Sequence, residues 1–243
     1  MLAFPKGYFQ LQLDFADKMK GYRGLSLIKS IFLYTCFYAR VVGFHDEHPP
    51  EENNQKWQQI IKDLPLNQNN QTDYFYEKYV DFEKNKPKKN NQLYFGCFAF
   101  SYHNDNNTFE LHFRNYDQDK GNLGKDRIKV RQSELKQMFG AMKNFNKLKA
   151  KVFLRTWLFN IGAFTRLFPP KFIKASKLWN IQLAQDNSFW GQFVDRKGNL
   201  KENLAQQLRD NLKIKRSKIN DYLPLPCLKS EVEQKIFYKF YKT

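Results

Sequence analysis

Leu93-Tyr94-Phe95-Gly96-Cys97-Phe98-Ala99-Phe100, followed after a polar break by Thr108-Phe109-Glu110-Leu111-His112-Phe113-Arg114, reads as the two strands of a hairpin. Asn104-Asp105-Asn106-Asn107 supplies the turn, because Asn and Asp tolerate a left-handed backbone and bond their own main chain. Side chains alternate across a strand, so Phe109, Leu111 and Phe113 face a core while Glu110, His112 and Arg114 share the opposite face. An acid, an imidazole and a guanidinium in one row form the leading candidate site. His112 or Glu110 would serve as general base or acid, since an unperturbed imidazole titrates at about pH 6.5. The competing reading is the wet outer side of an antiparallel sheet.

Downstream of the hairpin the chain turns basic. Between Arg114 and Arg155 there are 12 Lys/Arg against four Asp/Glu. The loop 115–131 contains Lys120-Gly121-Asn122-Leu123-Gly124-Lys125, just ahead of a helix predicted around Ser133 to Lys143. Glycines let backbone N–H groups approach a phosphate, and a helix N-terminus attracts anions. Arg114, Lys120, Lys125 and Arg127 are therefore the candidate anion-binding residues. The spacing matches neither the P-loop nor the dinucleotide fingerprint, and a solvated loop is the alternative.

Lys151 to Leu158 is predicted as a strand, and Asn160 as the cap of a short helix, Ile161 to Phe168, stopped by Pro169-Pro170. Loops beyond strand carboxyl ends are where ligands tend to sit, which makes Trp157 and Asn160 candidates for a substrate pocket. Lys177 to Ala184 and Ser188 to Val194 read as strands. In the second, Gly191 suggests a bulge, with Trp190 and Gln192 on one face as further pocket residues. A helix carrying Leu200, Leu204, Leu208 and Leu212 follows, and Ser230 to Tyr241 reads as a closing helix.

Upstream, the first 90 residues read as helical. Leu11, Phe15 and Met19 recur every four residues, and Gly21 to Gly24 breaks that helix from the next, Leu25 to Phe44, with Ser26 as cap and Gly43 as terminus. Trp57, Ile60, Ile61 and Leu64 mark another helix, and Phe75, Tyr79 and Phe82 a further one. The polar run Glu83 to Gln92 is the predicted boundary between a helical part, 1–90, and a mixed β/α part, 91–243, which could share one core. The expected class is α+β or α/β: helices first, then a mixed central sheet with flanking helices.

The chain has 243 residues, enough for a sizeable core, and 17% aromatics to fill it. Its net charge of +17 attracts phosphates, nucleic acid or anionic lipid, or reflects Lys- and Asn-rich composition alone. Cys36, Cys97 and Cys227 are odd in number and show no CxxC or zinc spacing, so a reducing, cytoplasmic location is expected. Leu25 to Phe44 holds Lys29 and Arg40 and is too interrupted to span a membrane. His45-Asp46-Glu47-His48 runs into Pro49-Pro50 without an HExxH pattern, and no metal is expected there. No G-x-S-x-G elbow is present.

The order of hairpin (93–114), loop and helix (115–143), strand (151–158) and Asn160-Ile-Gly-Ala-Phe-Thr-Arg-Leu-Phe168 resembles the acyl-carrying half of GNAT-type N-acyltransferases. In that superfamily the backbone amides of the loop and helix hold the pyrophosphate of acyl-CoA, and a last strand pair follows the short Asn-led helix. The resemblance covers about 100 residues. The superfamily's loop signature, Gln/Arg-x-x-Gly-x-Gly/Ala, is absent; the loop is longer and more basic, and no catalytic residue is carried over. The phrases LHFRN, TWLFN and FWGQF also resemble segments of small bacterial proteins.

These readings lead to one expectation and one alternative. The expectation is a cytoplasmic bacterial acyltransferase with no permanently bound cofactor, using acyl-CoA or a similar thioester as co-substrate. His112 or Glu110 would take the acceptor's proton. Arg114, Lys120, Lys125 and Arg127 would meet the donor phosphates, and Trp157, Asn160, Trp190 and Gln192 would line the acceptor pocket. The alternative is a basic nucleic-acid-binding or interaction protein without catalysis.

Overall fold

The computed structural model describes residues 4–43, 51–66, 68–85, 93–114, 121–147, 149–179 and 187–243. By packing, the chain divides into two compact units: Met1–Lys88 with Asn180–Pro224, and Lys89–Trp179 with Leu225–Thr243. A division at residue 90 would assign 180–224 to the β/α part, whereas these residues pack with the helical one. Residues 86–92, most of the expected linker, lie outside the described residues. The class is α+β, with a five-stranded mixed sheet and flanking helices.

The first unit is helical. Helix α1 (Lys6–Arg23) buries Tyr8, Phe9, Leu11, Gln12, Leu13, Phe15, Ala16 and Met19, positions spread over most of its circumference. It ends at Gly24, whose left-handed backbone (φ 64°) costs glycine little, not at the expected break from Gly21. The single helix expected over Leu25 to Phe44 is instead two, α2 (Leu27–Tyr34) and α3 (Phe37–Val41). The break has a local cause. Thr35 Oγ1 donates to Ile31 O at 2.7 Å and accepts from Phe37 N, while the Cys36 N–H donates to Gln12 Oε1 at 2.8 Å. Thr35 N keeps its helical bond to Ile31 O, while side chains take up the N–H groups of Cys36 and Phe37. Ser26 does cap α2, accepting from Lys29 N.

Asn54 caps α4 (Gln55–Lys62), and α5 (Gln68–Asn85) follows, burying Phe75 and Tyr79. The expected strand Ser188 to Val194 is a 3-10 helix, Asn187–Phe193. Its three-residue repeat brings Trp190 and Phe193 onto one side, where both are buried. No helix among the described residues is long and apolar enough to cross a membrane.

The second unit is built on the sheet. Its strands are β1 (Phe98–His103), β2 (Thr108–Phe113), β3 (Lys151–Thr156), β4 (Lys177–Leu178) and β5 (Leu228–Glu233), in the order β1-β2-β3-β5-β4. The β1–β2 hairpin is antiparallel and turns at Asn104–Asn107, with Asn107 at φ 50°. Helix α6 (Ile128–Lys143) crosses over to β3, which lies parallel to β2. β5 returns between β3 and β4, antiparallel to both.

Two boundaries differ from expectation. β1 starts at Phe98, not Leu93, because Gly96 takes a left-handed backbone (φ 59°) and Phe95 and Phe98 close a tight turn on each other. Leu228–Glu233 is a strand and only Lys235–Tyr241 a helix, α10. The helix-spaced Val232, Ile236, Phe237 and Phe240 masked the alternation that puts Ser230 and Val232 on the core side of β5. The expected strand from Lys177 is β4 over two residues, and residues 180–186 lie outside the described residues.

One face of the sheet carries the core. Phe98, Phe109, Leu111, Val152 and Leu154 pack with Leu135, Met138, Phe139 and Met142 of α6, with Phe164 of α7 (Gly162–Thr165), with Phe172 of α8 (Pro170–Lys174), and with Phe237 and Tyr241 of α10. Phe139 stacks on Phe237 at 4.5 Å and on Tyr241 at 5.2 Å. Burial of that many aromatic rings, about 1.5–3 kcal/mol each, holds the helices to one side and leaves the polar residues on the other.

Candidate functional site

The register fixes which residues meet on the second face. Ser101 lies opposite Glu110 and Ala99 opposite His112 across the hairpin. Phe153 lies beside Glu110, and Lys229 opposite Arg155 on β5. Glu110 is the node: Oε1 is 3.2 Å from Arg155 Nε and Oε2 is 3.0 Å from His103 Nε2. Its side chain is only 15% exposed, so the Arg155 guanidinium meets it where water screens weakly. His112 reaches diagonally to Ser101, with Nε2 and Oγ 2.8 Å apart. Beyond Arg155, the Trp179 indole is flanked by Arg155 Cζ at 5.7 Å and Lys229 Nζ at 4.4 Å, with Phe153 edge-on. At the strand start, a hydrogen bond from Lys151 to Glu231, with their charge attraction, raises the Lys151 ammonium above the usual lysine range.

The β2–β3 ladder is short. It registers Thr108 to Glu110 with Lys151 to Phe153 and stops, although each strand runs three residues further with its other neighbour. The two carboxyl ends therefore part. Helix α6 begins at that end, led in by the 3-10 turn Lys125–Arg127. It has no side-chain cap bond and no acid in its own first turn, with Asp126 in the turn that leads into it.

A buried network anchors this helix start. Arg131, 2% exposed, donates through Nη1 to both Glu134 oxygens (2.7 and 2.6 Å) and to the Cys97 sulfur. Glu134 Oε2 in turn accepts the Cys97 N–H at 3.1 Å. Its carboxyl group occupies the space a Cβ on Gly96 would need, 2.0 Å away. A bulkier residue at 96 would displace the pair, so the glycine is required both for its backbone angle and for this approach.

The sequence-predicted residues divide into groups. Glu110 and His112 share the polar face, as expected. Arg114 lies one residue past β2 and stacks its guanidinium on Tyr94, 3.3 Å from the ring centre. Lys125 and Arg127 stand at the start of α6; Lys120 lies outside the described residues, as do His45 to His48. Trp157 packs against the core from the 3-10 turn Trp157–Asn160.

Asn160 does not cap the following helix, whose N-cap is Ile161. Its amide ties Trp157 O (2.7 Å) to Pro226 O (2.8 Å), a link across the fold that local spacing cannot reveal. Trp190 and Gln192 belong to the helical unit. Trp190 is 1% exposed with its indole N–H on Tyr34 O, and the buried Gln192 amide donates to Phe189 O. They are not brought together with Trp157 and Asn160 in one unit.

Sequence reasoning missed Ser101, His103, Trp179 and Lys229, and placed Arg155 beside Trp157, not on Glu110. The alternation Ala99, Ser101, His103 was readable, but ending β1 at Phe100 cut it off. Among the described residues no group of three or more His, Cys, Asp or Glu side chains could hold a metal ion. A cleft of about 540 Å³ lies in the helical unit, between α3, α4 and α5, and none of the predicted site residues lines it. Comparison with protein-family models, with curated proteins and with solved structures gives no match.

Proposed function

We propose that this protein transfers an acyl group from a thioester donor, acyl-CoA or a similar molecule, to an amine or hydroxyl acceptor. The observation that carries this reading is the parting of β2 and β3 after three registered pairs, at the end where α6 begins. Parallel strands that separate at their carboxyl ends leave room for a ligand, and an uncapped helix start is suited to a phosphate. Lys125 and Arg127 bring positive charge to the same helix start. The choice of acyl-CoA as donor follows the GNAT resemblance of the element order hairpin, loop, helix and strand.

In this reading the donor's phosphates lie against the first turn of α6 and the thioester points toward the polar face. The acceptor nitrogen or oxygen attacks the thioester carbonyl, the new C–N or C–O bond replaces C–S, and the thiol leaves. His112 or Glu110 takes the acceptor's proton. Isothermal titration with CoA and with acetyl-CoA tests the reading. A saturable one-site isotherm is expected, weakened in the Lys125→Ala/Arg127→Ala variant. No heat at millimolar ligand overturns it.

A second reading is nucleic-acid binding, favoured by the Trp179 ring flanked by Lys229 and Arg155 beside Phe153. Aromatic platforms with cations bind single strands, with affinity that falls steeply as salt rises. Gel shifts at two salt concentrations separate the two readings, because a single nucleotide-thioester site depends less on salt.

A further inference from the structure

The geometry points to Ser101 as a covalent relay: its hydroxyl, activated by His112, takes the acyl group from the thioester as an ester before the acceptor receives it. This rests on the acyl-transfer reading and adds a nucleophile to it. Ser101 Oγ and His112 Nε2 are 2.8 Å apart, within the reach a nucleophile and its base require. Both residues are half-buried on the polar face.

Their pairing is diagonal. The residue directly across from His112 is Ala99, which has no polar side chain, and the residue directly across from Ser101 is Glu110. Glu110 is already held by Arg155 through one oxygen and His103 through the other. The serine hydroxyl thus pairs with the imidazole, while the carboxylate directly across is engaged by Arg155 and His103.

With the imidazole proton on Nδ1, Nε2 accepts the Ser101 hydroxyl proton as Oγ attacks the thioester carbon. The Oγ–C bond forms, the C–S bond breaks, and the imidazolium passes its proton to the departing sulfur. In the second half the acceptor amine attacks the serine ester. The N–C bond forms, the C–Oγ bond breaks, and the amine's proton returns to Ser101 through Nε2. No oxidant, metal or further reactant enters the balance.

The test treats the full chain with p-nitrophenyl acetate, then maps any acetyl group by tandem mass spectrometry. A burst of p-nitrophenolate approaching one equivalent is expected, with the acetyl group on Ser101. His112→Asn should slow the burst about 100-fold or more. Ser101→Ala should abolish it, and Ser188→Ala, at an exposed serine of the helical unit, should keep it, all with unchanged melting temperature. Should Ser101→Ala fail to fold, the site of the adduct on the unmodified chain decides. Absence of an adduct, an adduct on another residue, or a burst indifferent to His112 overturns the relay.

The acetyl-CoA arm keeps the two claims apart. Thiol release and acyl transfer undiminished in Ser101→Ala would leave the acyltransferase reading standing with direct transfer. A Ser101 adduct from the ester without any CoA binding would do the reverse.

Discussion

At the residue scale, two glycines of the second unit make opposite predictions. Gly96 has a left-handed backbone and the Glu134 carboxyl where its Cβ would be; Gly140 lies within α6 with nothing within 4 Å of that position. Gly96→Ala should therefore destabilise by more than about 1 kcal/mol. Gly140→Ala should stabilise by about 0.5–1 kcal/mol, since the helix gains a better former. Thermal melts of the two variants check both signs. The same scale shows how much of the site was readable. Alternation along 108–114 separated Glu110 and His112 from Phe109 and Leu111 without any structure. It could not say what meets Glu110, because Arg155 lies 45 residues on, on a strand joined through a parallel pairing that no local pattern encodes.

At the scale of elements, the docking of α6 depends on a charge pair out of water. Removing one member of a buried pair strands the other, so Glu134→Ala should cost about 3–5 kcal/mol. Replacing both, as Arg131→Met with Glu134→Leu, should cost much less, and urea denaturation compares the two. The turn before α9 (Glu202–Leu212) makes a pH prediction. Burial pushes the Asp195 carboxyl up, but hydrogen bonds from the Asn199 backbone and side chain and from Lys197 N–H outweigh it and hold the group below the usual carboxylate range.

A carboxyl depressed in the folded state adds stability above its unfolded pKa and loses it as pH falls through the folded one. Acid melts between pH 5 and pH 2 should accordingly be less steep in Asp195→Ala than in the parent. Element identity was legible where one period ruled, as in α1 or β2. It failed where two coexisted. Ser230 to Tyr241 holds a strand alternation followed at once by a helical one, and only the pairing of β5 with β3 and β4 separates them.

At the scale of the whole molecule, the chain leaves the helical unit, builds most of the sheet, goes back, and returns to insert β5. Composition marked the first crossing, near the Lys- and Asn-rich run, but 180–224, with only four aromatics in 45 residues, reads as continuous with the β/α part. A fragment of residues 91–243 would lack α1, whose Tyr8 and Phe15 meet Trp190 edge-on at 6.3 and 5.5 Å. That fragment should expose apolar surface and bind a hydrophobic dye strongly, whereas the full chain should not.

The central claim is that the start of α6, at the parted ends of β2 and β3, receives the phosphates of a thioester donor. Amide hydrogen exchange with and without CoA reads that place directly. The account predicts slowed exchange concentrated in Lys125 to Arg131. Unchanged exchange there at saturating CoA, or protection confined to the helical unit, would contradict it.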